Sequence, residues 1–200
     1  YILGVWSRTF AEAENVLSQL KQGHDAQEQV DTYFHRVLRM LISRDDRVLA
    51  LAEQYFTLQD LLDIRKRMVG TGLIGGKAVG MLLARAILKK RDPRWYDLLE
   101  KHDSFFVGAD VFYTYLVQNG CWWMIQKQRM DERAEDETET ARRRILAGDF
   151  PEYIVTQFTD MLDYFGQSPV IVRSSSILED NFGNAFAGKY ESVFCANQGG

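Results

Sequence analysis

The chain has 200 residues, a length typical of one large domain that can bury a core without disulfide or metal support. Its 24 Lys and Arg against 28 Asp and Glu give a net charge of -4, which argues against a general nucleic-acid binder. With 46% hydrophobic and 26% charged residues, the composition excludes disorder as the main state. No apolar run is long enough for a membrane helix, the first residues lack a signal-peptide pattern, and Cys121 and Cys195 show no metal or redox spacing. We therefore expect a cytoplasmic protein with reduced thiols.

Helical periodicity dominates the first part of the chain. An apolar stripe predicts one helix between His24 and Ser43, and a second stripe predicts another from Asp46 to about Met68. Ser43, Asp45 and Asp46 offer capping side chains at the start of the second helix. We interpret residues 1–69 as a helical N-terminal extension.

A glycine-rich turn then leads into a further helix. Gly70, Gly72, Gly75 and Gly76 precede Lys77, and helical apolar spacing resumes after them until Asp92-Pro93 ends it. Glycine N–H groups, a helix N-terminus and a lysine together favour an anion, and phosphate is the natural ligand.

Two known phosphate patterns do not match this turn. A Walker A loop would need Gly at position 71 and Ser or Thr at position 78, where the chain has Thr71 and Ala78. A Rossmann fingerprint is excluded because no strand is predicted before the glycines. On spacing alone, the alternative for Lys77 is an exposed lysine near a helix start, and spacing alone favours that alternative.

Both strands and helices are predicted in the remainder of the chain. The pattern predicts a short strand at Ser104–Val107 and a buried strand at Pro169–Val172, followed by a strand at Tyr190–Ala196. Predicted helices cover Asp110–Gln118, Cys121–Leu146 and a segment opened by Pro151.

A second candidate anion site lies where the Pro169–Val172 strand ends. Arg173 presents a planar fork suited to phosphate oxygens, and Ser174, Ser175 and Ser176 add hydroxyl donors. The alternative is a buried arginine that pairs with Glu179 or Asp180. Two other roles for these carboxylates are to order the loop or to face a metal through water.

These motifs, taken in order, resemble those of phosphoenolpyruvate synthases and the wider pyruvate phosphate dikinase family. The segments that carry the resemblance are Gly75–Ala78, Ser104–Gly120, Gly148–Pro151, Val170–Ser176, Glu179-Asp180 and Phe186–Phe194. In that family the motifs lie in an N-terminal nucleotide-binding domain of ATP-grasp type. The resemblance therefore implies an α+β fold in which the helical region precedes a partial ATP-grasp-like lobe with a small sheet flanked by helices. Residues 70–200 would form the first lobe of the ATP-binding domain, truncated at its C-terminus.

The resemblance also implies roles for individual residues. Lys77 and Arg173 would bind the ATP phosphates and act catalytically by stabilising charge on the transferred group. The remaining nucleotide-binding candidates are Gly75, Gly76, Ser174, Ser175, Glu179, Asp180 and Gly188. No metal ligand is assigned within the chain, because the family's acidic Mg²⁺ ligands belong to its second grasp half.

Some positions depart from the family pattern. His102, Ser104 and Gly108 stand where the family has Pro, Gly and Thr, and Lys189 stands where many relatives carry Gln. The change from Thr to Gly at position 108 removes a hydroxyl able to contact nucleotide.

The resemblance leads to one specific hypothesis for the function of the chain, with two alternatives. The chain would be part of an enzyme that converts ATP, pyruvate and water to AMP, phosphoenolpyruvate and phosphate, with its phosphohistidine and pyruvate-binding domains elsewhere in the parent chain. We expect no activity from these residues alone, and no nucleic-acid or membrane partner. One alternative is a phosphotransferase of the same family with an antibiotic or glucan acceptor. The other is a non-catalytic helical interaction module with a degenerate phosphate site.

Overall fold

A computed structural model describes residues 2–101, 103–123, 135–175 and 192–198 of the chain. This part of the chain is mostly helical with little sheet, which agrees with the α+β class. Its helices are α1 (Ile2–Lys21), α2 (Gln27–Leu41), α3 (Asp46–Tyr55), α4 (Leu58–Lys66), α5 (Gly76–Arg91), α6 (Trp95–Leu98), α7 (Ala109–Gln118), α8 (Glu135–Ala147) and α9 (Glu152–Phe165). Its strands are β1 (Met68–Val69), β2 (Phe106–Val107), β3 (Val170–Arg173) and β4 (Ser192–Cys195).

The largest hydrophobic core joins the first four helices to α5 and β2. The apolar stripe predicts α2 correctly, and Val30, Val37, Leu38 and Leu41 of that stripe are buried. Val79 and Leu83 of α5 and Phe106 of β2 belong to the same cluster. The core thus extends across the position where we divide the helical extension from the nucleotide-binding lobe.

The prediction of one helix from Asp46 to about Met68 is wrong, because two separate helices, α3 and α4, form in this segment. Asp45 caps α3 by accepting hydrogen bonds from the N–H groups of Arg47 and Val48. Thr57 then starts a new helix with a capping box, in which its hydroxyl accepts from the Asp60 N–H at 3.2 Å and its own N–H donates to the Asp60 carboxylate at 2.8 Å. The apolar periodicity continues through the break, so periodicity alone does not reveal it.

Two small sheets carry the segments around the candidate site. β1 and β2 pair in parallel, with Met68 opposite Phe106, and α5 and α6 form the crossover between them. β3 and β4 pair antiparallel, with Val170 opposite Cys195 and Arg173 opposite Ser192.

The β3 strand lies where it was predicted, but the prediction that it is buried is wrong. Ile171 and Val172 are 40% and 55% exposed, and Phe194 of β4 is 81% exposed. Within the described residues this hairpin has one hydrogen-bonded neighbour per strand and is not enclosed as a central strand would be.

The predicted helices of the second half are found with small differences. α7 ends at Asn119-Gly120, and α9 follows Pro151, as expected. The predicted helix Cys121–Leu146 is helical at Trp122 and Trp123 and again in α8, while positions 124–134 lie outside the described residues. None of the described helices has the length and apolarity needed to cross a membrane.

Candidate functional site

Residues 70–75, here called the glycine loop, connect β1 directly to the N-terminus of α5. Gly70 and Gly72 have φ values of 71° and 97°, a backbone region that residues other than glycine rarely adopt. The prediction that no strand precedes the glycines is wrong, since β1 ends immediately before Gly70. A strand of two residues has no alternation long enough to detect in the sequence.

The glycine loop is anchored on two sides by hydrogen bonds. The Gly70 N–H donates to Oε1 of Gln157 on α9 at 2.6 Å. The Ile74 N–H donates to the carbonyl of Leu41, at the end of α2, at 2.9 Å. Ile74 is also 97% buried in the main core, so the loop enters α5 from a fixed position.

The N-terminus of α7 holds the loop from a third side. The buried Thr71 hydroxyl donates to Oδ2 of Asp110 at 2.7 Å, and the Asp110 N–H donates to the Thr71 carbonyl at 3.1 Å. A Cβ on Gly72 would lie 2.8 Å from the Asp110 carboxyl carbon, so glycine permits this close approach. The Ala109 N–H completes the contact by donating to Leu73 at 2.9 Å.

Asp110 and Gln157 were not among the predicted site residues. Both sit in helices where Asp or Gln is ordinary, and their partners are 39 and 87 positions away in the sequence. The only available signal was the acidic residue in the first turn of α7, which also suits the helix dipole.

Replacing Asp110 by Ala should destabilise the fold by about 2 kcal/mol, because a buried hydroxyl then loses a charged acceptor. Chemical denaturation in urea would measure this change. Asp110→Asn retains an acceptor and should lose less. Asp46→Ala is the matched control, since Asp46 also lies in the first turn of its helix but is exposed. Equal losses for Asp110→Ala and Asp46→Ala would show that only the dipole interaction matters.

Gly108 has a structural reason to be glycine. Its Cβ would contact the carbonyl group of Thr71, which is backbone and cannot move aside by a rotamer change. Gly108 therefore permits the glycine loop to pack on α7. This packing is a separate reason for glycine at position 108, in addition to the missing threonine hydroxyl noted from the sequence.

The N-terminus of α5 meets the end of β3. Gly75 is the N-cap residue of α5, and because it is a glycine it has no side chain that could cap the helix. Ser175 supplies one from far along the chain, because its Oγ accepts a hydrogen bond from the Lys77 N–H at 3.1 Å. Ser175 also packs so closely on Gly75 that a Cβ there would contact its Oγ, Cβ and carbonyl oxygen.

The structure thus brings the two predicted anion-binding segments together at Gly75, Gly76, Lys77 and Ser175. Lys77 is exposed, and Arg173, two residues before Ser175, is also exposed. The alternative of a buried Arg173 is therefore wrong, and no ion pair joins Arg173 to another of the described residues.

The remaining predicted residues are placed less completely. Ser174 lies between Arg173 and Ser175, and its Oγ is buried without a hydrogen-bond partner. Glu179, Asp180 and Gly188 lie outside the described residues, as does His102.

The chemistry of this region favours an anion. The exposed residues Lys77 and Arg173 and the positive end of α5 all belong to the two segments that the Lys77–Ser175 hydrogen bond joins. Where the structure describes the chain, no three His, Cys, Asp or Glu side chains come together as a metal site. The described residues therefore do not by themselves fit a Mg²⁺ ion, and we assign no step through one.

Most of the chain matches one known protein family. Residues 71–200 match the family model described as pyruvate phosphate dikinase, AMP/ATP-binding domain. The match spans more than half of the chain and includes Lys77, Arg173 and Ser175. No curated protein and no solved structure is significantly similar to the chain. The resemblance seen in the motifs is thereby confirmed, and the chain belongs to the pyruvate phosphate dikinase family through its AMP/ATP-binding domain.

Proposed function

We propose that the N-terminus of α5 and the end of β3 together bind the phosphate chain of ATP. The observation that carries this proposal is the hydrogen bond from the Lys77 N–H to Ser175, which joins the two segments. Gly75, Gly76, Ser174 and Ser175 would donate N–H or O–H groups to phosphate oxygens. Glu179, Asp180 and Gly188 remain proposed members of the site.

Lys77 and Arg173 would act mainly through charge. Positioned donors and cations are most of what a protein supplies to phosphoryl transfer, because they offset the charge that spreads over the transferred group. Arg173 can grip two oxygens at once, whereas the Lys77 ammonium acts as a point charge. The anchored glycine loop keeps α5 in place, so little reorganisation is needed when the ligand arrives.

The finer identity we propose is the first lobe of the ATP-binding domain of a cytoplasmic phosphoenolpyruvate synthase-like enzyme, of ATP-grasp type. The lobe would cover residues 70–200, with residues 1–69 as a helical extension. The parent enzyme would use Mg²⁺ and transfer the β-phosphate of ATP to a histidine and then to pyruvate, on domains outside these 200 residues. We expect the chain alone to leave pyruvate unchanged, and ATP-dependent conversion of pyruvate by it would contradict this.

Titration calorimetry with ATP tests the binding site. Lys77→Ala and Arg173→Ala should each weaken ATP binding about 10- to 100-fold, the equivalent of one charge-assisted hydrogen bond. Lys89→Ala is a matched control, because Lys89 lies at the opposite end of α5 near the Tyr96 ring. It should leave the affinity unchanged.

Two outcomes of this titration would overturn the assignment. Equal affinity of wild type and both site variants would remove Lys77 and Arg173 from the site. No ATP binding by the wild-type chain would favour the non-catalytic helical module. The acceptor, whether pyruvate, an antibiotic or a glucan, is chosen by residues outside the proposed phosphate site.

A further inference from the structure

Ser175 occupies an unusual position between the two elements that carry the proposed site. Its Oγ accepts from the Lys77 N–H at 3.1 Å, across 98 positions of sequence. Its backbone and side chain lie against the Gly75 α-carbon, at a point where only glycine leaves room. Both contacts join β3 to α5.

This position controls how far apart the two cationic residues can be. Arg173 precedes Ser175 by two residues, which span at most about 7 Å of extended chain. Lys77 is the residue whose N–H the Ser175 hydroxyl binds. While this contact holds, the backbones of Arg173 and Lys77 remain near neighbours.

Without ligand, electrostatics opposes this arrangement. Lys77, Arg173 and the positive end of α5 carry charge or partial charge of the same sign, and such charges repel one another when the two segments are brought together. An uncharged contact that holds the segments together offsets this repulsion in advance, so that less free energy is needed when an anion binds.

We propose that Ser175 is a positioning residue, which clamps the end of β3 to the N-terminus of α5 and so sets the distance between Arg173 and Lys77 for a polyphosphate that bridges them. This inference rests on the proposed nucleotide site and adds its selectivity: a chain of several phosphates spans both cations, whereas a single phosphate engages one of them. The clamp therefore favours ATP over AMP.

The test compares ATP and AMP affinities by titration calorimetry on the 200-residue chain. Ser175→Ala removes one hydrogen bond and should weaken ATP binding about three- to tenfold, while AMP binding changes less than about twofold. Gly75→Ala provides a second route, since the added Cβ must push Ser175 away while its hydroxyl remains. It should lower the ATP affinity selectively as well.

Matched controls separate positioning from general damage. Gly80→Ala adds the same methyl group further along α5, where nothing lies within 4 Å of it. Ser168→Ala removes a hydroxyl just before β3, from an exposed residue. Both should leave the two affinities unchanged. A purely structural role of Ser175 would lower ATP and AMP affinity together and shift the melting temperature, which would overturn the proposal.

Other results are equally decisive. If wild type binds ATP and Ser175→Ala binds it with equal affinity, the clamp is wrong and the nucleotide site stands. Tighter ATP binding by Ser175→Ala would show that the hydroxyl competes with phosphate for the helix N-terminus, which also overturns the clamp. If wild type binds no ATP, the proposed function fails and the inference fails with it.

Discussion

Gly108→Thr, which places the residue of the family pattern at this position, should destabilise the protein by about 1–3 kcal/mol rather than improve it. The reason is steric, because the new Cβ meets the Thr71 carbonyl, which the Asp110 N–H and the start of α7 hold in place. Relief of the contact would require the glycine loop to move away from α7. Thermal or urea unfolding would measure the loss.

Two further variants separate the effect of volume from that of the hydroxyl. Gly108→Ala adds the offending Cβ alone and should already show most of the loss. Gly80→Thr introduces threonine on α5 in open space and should be neutral or slightly stabilising, because glycine is a poor helix former. A Gly108→Ala protein as stable as wild type would contradict the steric explanation.

Leu38→Ala should cost about 2–5 kcal/mol, since Leu38 is fully buried where α2 packs on its neighbours and the cavity cannot collapse completely. The same core contains Val79 and Leu83 of α5, so the effect should reach the proposed phosphate site. We expect hydrogen exchange to accelerate in α5 as well as in α2, with one unfolding transition in urea.

This experiment also tests the proposed division at residue 70. If Leu38→Ala loosened α2 while α5 kept its full protection, the helical extension and the lobe would be independent units. Leu51→Ala, a truncation of a 40% exposed leucine on α3, is the control and should have a much smaller effect.

The sequence predicted the elements whose signals are local. The apolar stripe of α2, the capping of α3 by Asp45 and the glycine-to-helix transition at Gly75-Gly76 each depend on neighbours in the chain. Glu139 and Arg143, four residues apart on α8, form an ion pair of the same local kind at 3.2 Å.

What escaped prediction depends on distant partners or on very short segments. A capping box at Thr57 starts a new helix although the apolar periodicity of the sequence continues through this position. Strand β1 has only two residues, which is too short to show alternation. The exposure of β3 depends on which elements pack against it, and the β-branched residues of the strand do not indicate whether such elements are present. For the site, residue types identified Lys77 and Arg173 as candidates, but nothing local connects Lys77 to Ser175.

Helix α9 has a geometric consequence for the spacing of the proposed phosphate contacts. Gln157 near its middle holds Gly70, and a short connection after Phe165 leads into β3. Asn197 fixes that connection by donating to the Gly166 carbonyl at 2.6 Å. The length of α9 therefore sets the distance between the glycine loop and Arg173. Insertion of one residue between Gln157 and Phe165 would turn everything beyond it by about 100° and advance it by about 1.5 Å. The length of this segment should consequently tolerate far less variation than its surface residues do.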